Sequence, residues 1–289
     1  MKEQQKNRFP AGVLTAVVTP FSGGAIDYPA LRRILSLQES GGAAGIVLLG
    51  STGESPTVLH DERLRMIRFA KETTSLPLIV GTSSSDTKKA ALMTQEAEAA
   101  GADALLVASP YYNRPTEDGM AAHFLTIADS VHIPIMLYNI PARTGSRITE
   151  GVLRAVAAHP NISALKEADG NFSEIVSKAA MLRSLPQEQR IDLYAGNDAF
   201  YSMFAALGAR GLVSVVSNAY PEFCRLNTAD PDAFLRFVPL LDALALESNP
   251  IPIKTLMAAK GMIEEEFRLP LCSMQKENKA RLLKTAAAY

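Results

Sequence analysis

Two cysteines in 289 residues are too few for a disulfide framework or a four-thiolate zinc site, and Cys224 and Cys272 show no CxxC spacing. Buried, inert thiols in a reducing cytoplasm are expected. The four histidines, His60, His123, His132 and His159, form no HxH or HExxH pattern, so no metal site is expected and they read as solvated or capping residues. No GxGxxG or GxxxxGK[ST] run is present, which removes dinucleotide and P-loop readings. A charge excess is also missing. With 29 Lys+Arg against 30 Asp+Glu the net charge is −1, and no basic patch offers a footprint for nucleic acid. No apolar run approaches the roughly 18 residues of a membrane span. Lys2, Lys6 and Arg8 precede the apolar stretch Ala11 to Val18 as in a secretory leader, but Thr15 interrupts it and no cleavage pattern follows, so no signal peptide is expected.

What is present is a regular alternation. Eight short β-branched and aliphatic runs read as strands: Val13–Thr19, Gly45–Leu49, Pro77–Val80, Ala104–Ala108, Pro134–Tyr138, Ile162–Lys166, Ile191–Tyr194 and Gly211–Val215. They are nearly continuous in apolar residues, as strands covered on both faces are. Amphipathic stretches such as Asp61–Thr73 lie between them, and Asp86 or Thr87 is placed to cap the next one. A weak repeat recurs at Gly42 to Val47, Gly101 to Leu106 and Gly208 to Val213, each a helix stop feeding a buried strand. Three other strands are approached through a proline, at Pro77, Pro134 and Pro160. Eight βα units predict an α/β fold, a (β/α)8 TIM barrel over residues 1–228, with a C-terminal helical appendix over 229–289 packed on it. In the appendix Phe234, Phe237 and Leu241, and then Leu256, Ala259 and Ile263, repeat at helical spacing.

Working residues of such barrels sit at the C-terminal strand ends and in the loops beyond them. Here those ends carry Gly50-Ser51-Thr52-Gly53-Glu54-Ser55, Ser109-Pro110-Tyr111-Tyr112, Tyr138-Asn139-Ile140-Pro141-Ala142-Arg143, Lys166-Glu167, Gly196-Asn197-Asp198 and Ser217-Asn218. Lys166 closes an apolar strand and is expected to point into the barrel mouth, where desolvation makes an amine neutral and nucleophilic toward carbonyls. The competing reading is an ion pair with Glu167 or Glu54. Tyr138, Tyr112 and the Ser51 hydroxyl are candidate proton carriers, and Arg143 offers a fork for a carboxylate. The Gly50–Ser55 loop, with its backbone donors ahead of a helix, suits an anion.

Thr19-Pro20-Phe21, Gly50-Ser51-Thr52-Gly53-Glu54, Tyr138-Asn139-Ile140-Pro141 and Leu165-Lys166-Glu167, in that order and one per strand end, resemble the dihydrodipicolinate synthase / N-acetylneuraminate lyase family of pyruvate-dependent aldolases over essentially the whole chain. The resemblance implies a Schiff base between Lys166 and pyruvate with no other cofactor. It implies Tyr138 as proton donor and acceptor, and Ser51 and Tyr112 as the rest of a relay, with Tyr112 reaching in from a neighbouring subunit. It implies that Thr52 and the backbone at Val213 hold pyruvate. Family members usually carry threonine where this chain has Ser51. Arg143 matches the synthase branch, in which arginine binds the carboxylate of L-aspartate 4-semialdehyde, so the implied product is 4-hydroxy-tetrahydrodipicolinate, at the entry to diaminopimelate and lysine. The rival readings are a keto-sugar-acid aldolase or N-acetylneuraminate lyase of the same family, and a non-catalytic binding barrel. The implied assembly is a homotetramer, a dimer of dimers. Arg63, Ser85 and Lys89 stand where lysine-inhibited members tend to carry His, Asn and Glu, so weak or absent feedback by lysine is expected.

Overall fold

The computed structural model describes residues 8–289, so Lys2 and Lys6 of the leader-like pattern lie outside the described residues. The apolar part of that pattern is strand β1, Gly12–Ala16, hydrogen-bonded to a neighbour on each side. The other barrel strands are β2 (Gly45–Leu48), β3 (Leu78–Gly81), β4 (Ala104–Ala108), β5 (Ile135–Asn139), β6 (Ile162–Glu167), β7 (Asp192–Ala195) and β8 (Gly211–Ser214). Each pairs in parallel with the next, and β8 pairs with β1, so the sheet closes on itself as a (β/α)8 TIM barrel. Closure leaves the barrel sheet itself without an edge strand.

Strand boundaries shift for local reasons. The first strand ends at Ala16 instead of reaching Thr19, because the amide of Val18 is taken by Asn218 Oδ1 at 3.1 Å and the Thr19 hydroxyl by the Gly53 carbonyl at 2.6 Å. β3 and β5 begin one residue after Pro77 and Pro134, which have no N–H to give but still accept ladder bonds from Ile46 and Leu105. Gly42, Gly101 and Gly208 have φ of 86, 107 and 79°, so the repeat seen in the sequence is a left-handed helix stop used three times.

Helices cover the barrel, among them Tyr28–Gly41, His60–Thr73, Thr87–Ala99, Glu117–Ala128 and Phe172–Ser184. Asp86 caps the third of these, accepting from the Lys89 amide. The C-terminal residues form helices Pro231–Leu235, Val238–Leu244, Ile251–Ala259 and Lys276–Ala286. The Phe234, Phe237, Leu241 series thus crosses a break, where Pro239 lacks the N–H that would bond back to the preceding turn. Leu240, Leu256 and Leu282 belong to the same buried apolar cluster as Val13 and Leu31, so these helices share the core between strands and helices.

A second cluster fills the barrel interior. At its lower end Phe9 and Tyr194 meet edge to face with ring centroids 6.3 Å apart, and both are buried. Tyr194 Oη donates to the Pro10 carbonyl at 2.9 Å and Arg210 Nε to the Phe9 carbonyl at 2.6 Å, which pins the segment before β1 across the bottom. Among the described residues no helix is long and apolar enough to cross a membrane.

Candidate active site

Register sets the centre of the site. In the β5–β6 pairing Ile135 aligns with Ile162 but Met136 aligns with Ala164, so Ser163 is an extra residue in β6. This bulge brings Lys166 directly beside Tyr138, and both side chains turn inward. Lys166 Nζ lies 4.0 Å from the centroid of the Tyr138 ring. Because neighbouring strand residues face opposite sides, Glu167 turns outward. There it accepts from Asn139 Nδ2 at 2.7 and 2.9 Å, from Lys178 Nζ at 2.9 Å and from the Asp169 amide at 2.8 Å. Asn139 also accepts from the Ile148 amide, so the Asn-Glu pair ties β5, β6 and the loop after β5 together. Glu54 is likewise engaged elsewhere, with Lys254 at 2.5 Å. The alternative of a Lys166 ion pair with Glu167 or Glu54 is therefore excluded.

Lys166 is 7% exposed. Burial pulls its pKa down to about 7 against the opposing effect of the Asp198 carboxylate, and the Arg143 guanidinium adds to the drop. A substantial share of Lys166 is then neutral at pH 7, whereas an ordinary lysine is neutral to only about one part in two to three thousand. Burial pushes the Tyr138 phenol up to about 12, with Arg143 and a hydrogen bond from Ser51 limiting the rise. The phenol thus keeps its proton near neutrality and is placed to give it, with Ser51 as its hydrogen-bond partner.

The loop carrying Ser51 and Thr52 is anchored at several points. Its turn uses the amides of Gly53, Glu54 and Ser55 on the carbonyls of Gly50 and Ser51, which leaves the Ser51 and Thr52 amides outside the turn's own bonds. Glu54 adopts a left-handed φ of 50°, and its fully buried carboxylate is held by Lys254 and by the Arg268 amide at 3.2 Å. Phe21 packs its ring under both cations, 4.5 Å from Lys254 Nζ and 4.4 Å from the Arg268 guanidinium. The Thr19-Pro20-Phe21 motif is therefore a support for this loop, Thr19 through the Gly53 carbonyl and Phe21 through the cations.

Asn249, which the sequence did not single out, joins two halves of the site. Its Nδ2 donates to Thr52 Oγ1 at 2.8 Å, and its carbonyl accepts from Arg143 Nη2 at 2.7 Å. The available signal was a polar residue directly before the buried run Ile251, Ile253, Leu256 and Met257, with Lys254 inside that run and in need of a carboxylate. Ser51, Tyr138, Arg143 and Asn249 line a cavity of about 580 Å³ that extends to His60, Arg63, Lys89 and Tyr111. Lys166 is one layer deeper, against the Tyr138 ring. Val213 lies buried on β8 in the interior cluster.

Other sequence expectations fare differently. Tyr112 does not join the cluster within the chain: it is 93% exposed with a φ of 72°. His123 is buried, not solvated. Its Nδ1 lies 2.9 Å from Thr87 Oγ1, its Nε2 has no partner, and burial pulls its pKa to about 4. Of the two thiols expected to be buried, Cys272 is exposed at the surface. Cys224 is half-buried, and burial pushes it up to about 11. No group of three or more His, Cys, Asp or Glu among the described residues is arranged to hold a metal ion.

A family model described as the dihydrodipicolinate synthetase family matches residues 9–289. A 4-hydroxy-tetrahydrodipicolinate synthase of Clostridium novyi (strain NT) is 41% identical over 282 residues, covering 94% of this chain and 93% of that one. The crystal structure of a dihydrodipicolinate synthase from Thermotoga maritima superposes with a TM-score of 0.93 at 32% identity, covering 97% of this chain and 99% of the other. A structure described as the first monomeric dihydrodipicolinate synthase variant superposes equally well, at 0.93 and 32% identity, with 96% of each chain covered.

Proposed function

Since the chain belongs to the dihydrodipicolinate synthetase family, we propose that it condenses pyruvate with L-aspartate 4-semialdehyde to 4-hydroxy-tetrahydrodipicolinate through an imine on Lys166. The observation that carries this reading is a buried amine without a contacting carboxylate, its pKa lowered to about 7, beside a protonated tyrosine at the barrel mouth.

The neutral Lys166 Nζ attacks the pyruvate ketone, and loss of water gives the protonated imine. Tyr138 delivers the proton that water carries away and, through Ser51, takes part in removing one from the pyruvate methyl group. The resulting enamine carbon attacks the aldehyde, forming the new carbon–carbon bond while the aldehyde oxygen takes up a proton. The amino group of the second substrate then attacks the imine carbon, closing the ring and releasing Lys166. Thr52 and the Val213 backbone hold the pyruvate carboxylate in this scheme, and Arg143 holds that of the aldehyde. The scheme uses no cofactor beyond the lysine.

Tyr112 completes the proton relay from a neighbouring subunit, in keeping with its full exposure on a left-handed turn beside Tyr111. The assembly proposed is a homotetramer in the cytoplasm, and sedimentation analysis tests its size. Lys89 and Arg63 place positive charge in the outer part of the cavity, where an effector's ammonium group would be repelled. Strong inhibition by sub-millimolar lysine would refute that part of the reading.

The central test is borohydride reduction of the protein with pyruvate, followed by peptide mass spectrometry. A single pyruvyl adduct on Lys166, lost in Lys166→Ala together with at least roughly a thousandfold of the activity, is expected. An adduct elsewhere, or none, refutes the imine on Lys166. Exchanging the aldehyde for the keto-sugar or N-acetylneuraminate series separates this activity from the sister aldolases.

A further inference from the structure

We propose that Asp198 is a positioning residue for this imine chemistry, its buried carboxylate stabilising the positive charge that Lys166 carries first as ammonium and then as iminium. The inference rests on the imine reading for its catalytic meaning, and on the burial and neutral hydrogen-bond partners of Asp198, on the turn after the strand beside β6, for the charge itself.

Asp198 opens the short turn Asp198–Phe200 after β7, and is 8% exposed. Its Oδ1 accepts from Ser214 Oγ at 2.5 Å, and its Oδ2 from the amides of Val215 and Val216 at 2.9 and 3.4 Å. All three donors are neutral. Among the described residues no lysine, arginine or histidine lies in ion-pair contact with it, whereas the other buried carboxylates at or just past the strand ends, Glu54, Glu167 and Asp169, each touch a lysine or an arginine. Burial pushes the Asp198 carboxyl above the usual carboxylate range, and the three hydrogen bonds together with the Lys166 cation, whose strand β6 pairs with β7, act to keep it ionised.

The groups acting on Lys166 can be named from every side. From β5 comes the Tyr138 ring, and from the loop after β5 the Arg143 guanidinium, which disfavours a second positive charge. Glu167 faces the opposite side of the wall, paired with Lys178. Tyr194, register partner of Lys166 on β7, sends its hydroxyl down to Pro10. Asp198 is the carboxylate that favours the charged amine, and the other titratable group it acts on is the Cys224 thiol. A carboxylate in contact with Nζ would quench the nucleophile. One held away from it leaves the amine free to attack, yet offsets the cation once it forms.

Asp198→Asn is nearly isosteric and retains three contacts, its amide oxygen accepting from Val215 and Val216 and its NH2 donating to Ser214 Oγ, which changes from donor to acceptor. The charge is lost and one bond is reversed. Ser214→Ala is the converse, with the charge kept and one bond removed. Competitive acetylation of Lys166 with acetic anhydride across pH, without pyruvate, reads the midpoint of the amine directly. Asp198→Asn should lower that midpoint by about one pH unit, while Ser214→Ala leaves it in place. With pyruvate present, borohydride trapping at pH 7 in Asp198→Asn should fall by about fivefold at equal protein and time, because the larger share of neutral amine offsets part of the lost iminium stabilisation. An unchanged midpoint in folded Asp198→Asn, or an equal shift in Ser214→Ala, overturns the proposal. In the wild-type protein the carboxyl carbon resonance of Asp198 should inflect at the Lys166 midpoint, and a flat response overturns it without any variant. Absence of a pyruvyl adduct in the wild type refutes the imine reading alone, because the acetylation midpoint still measures the effect of Asp198 on the amine.

Discussion

The shell between strands and helices and the interior of the barrel treat a buried lysine in opposite ways. In the shell, Lys178 and Lys254 are 1% and 0% exposed on their side chains, and each ammonium lies against a carboxylate buried as deeply. In the interior, Lys166 is nearly as buried but has an aromatic ring beside it, and the carboxylate that favours its charge, Asp198, is held by neutral donors. The shell lysines are neutralised by contact and act as struts between elements far apart in sequence. The interior lysine is left to titrate. Burial alone therefore does not mark a reactive amine; burial without a contacting partner does.

Breaking a strut should cost most. Glu54→Gln leaves the Lys254 ammonium buried against an amide, and is expected to destabilise the fold by about 3–5 kcal/mol, read by urea denaturation. Glu54→Met combined with Lys254→Met should recover most of that loss. A loss as large in the double variant would mean that the pair matters for packing and not for charge.

Replacing the interior lysine should do the reverse. The folded-state pKa of Lys166 is depressed to about 7 from 10.5, so the unfolded chain binds the extra proton between those values and folding is penalised most below pH 7. Lys166→Met should abolish the pyruvyl adduct yet stabilise the protein by on the order of 3 kcal/mol at pH 6, with the gain shrinking as pH rises toward 10.5. Thermal unfolding across pH checks it, and a destabilised variant would show that the amine is compensated after all. Ser51→Thr is the finest probe. The added methyl restricts the hydroxyl rotamer, and turnover should change within roughly a few-fold, whereas Ser51→Ala removes the partner of Tyr138 and should lower it by about a hundredfold.

The barrel and the position of Lys166 were legible because they depend on local patterns: short apolar runs, glycine stops, and an ionisable residue ending an apolar strand. That Glu167 could not serve Lys166 was also implicit, since adjacent strand residues face opposite ways. The destinations of Glu54 and Glu167 were not legible in full. Glu54 meets Lys254 from 200 residues away, and Glu167 meets Lys178 from the following helix. Reading the C-terminal residues as an appendix hid Asn249, Lys254 and Arg268, which reach the site only after the helices fold back over the barrel. Tyr112 remains outside the site for a different reason. Its proposed place belongs to a second copy of the chain, which no contact within one chain reveals.

Among the described residues, Phe9, Tyr194 and Arg210 close the lower end of the barrel, so the approach to the site is from the opposite end. Lys166 lies beneath the cavity wall and Arg143 sits at its rim. Under the proposed chemistry, traffic through that end is single file: the keto acid goes down before the aldehyde is seated above it, and the cyclic product leaves before the next keto acid reaches the amine. An aldehyde that arrives early blocks the passage to the lysine, so excess aldehyde should inhibit competitively against pyruvate.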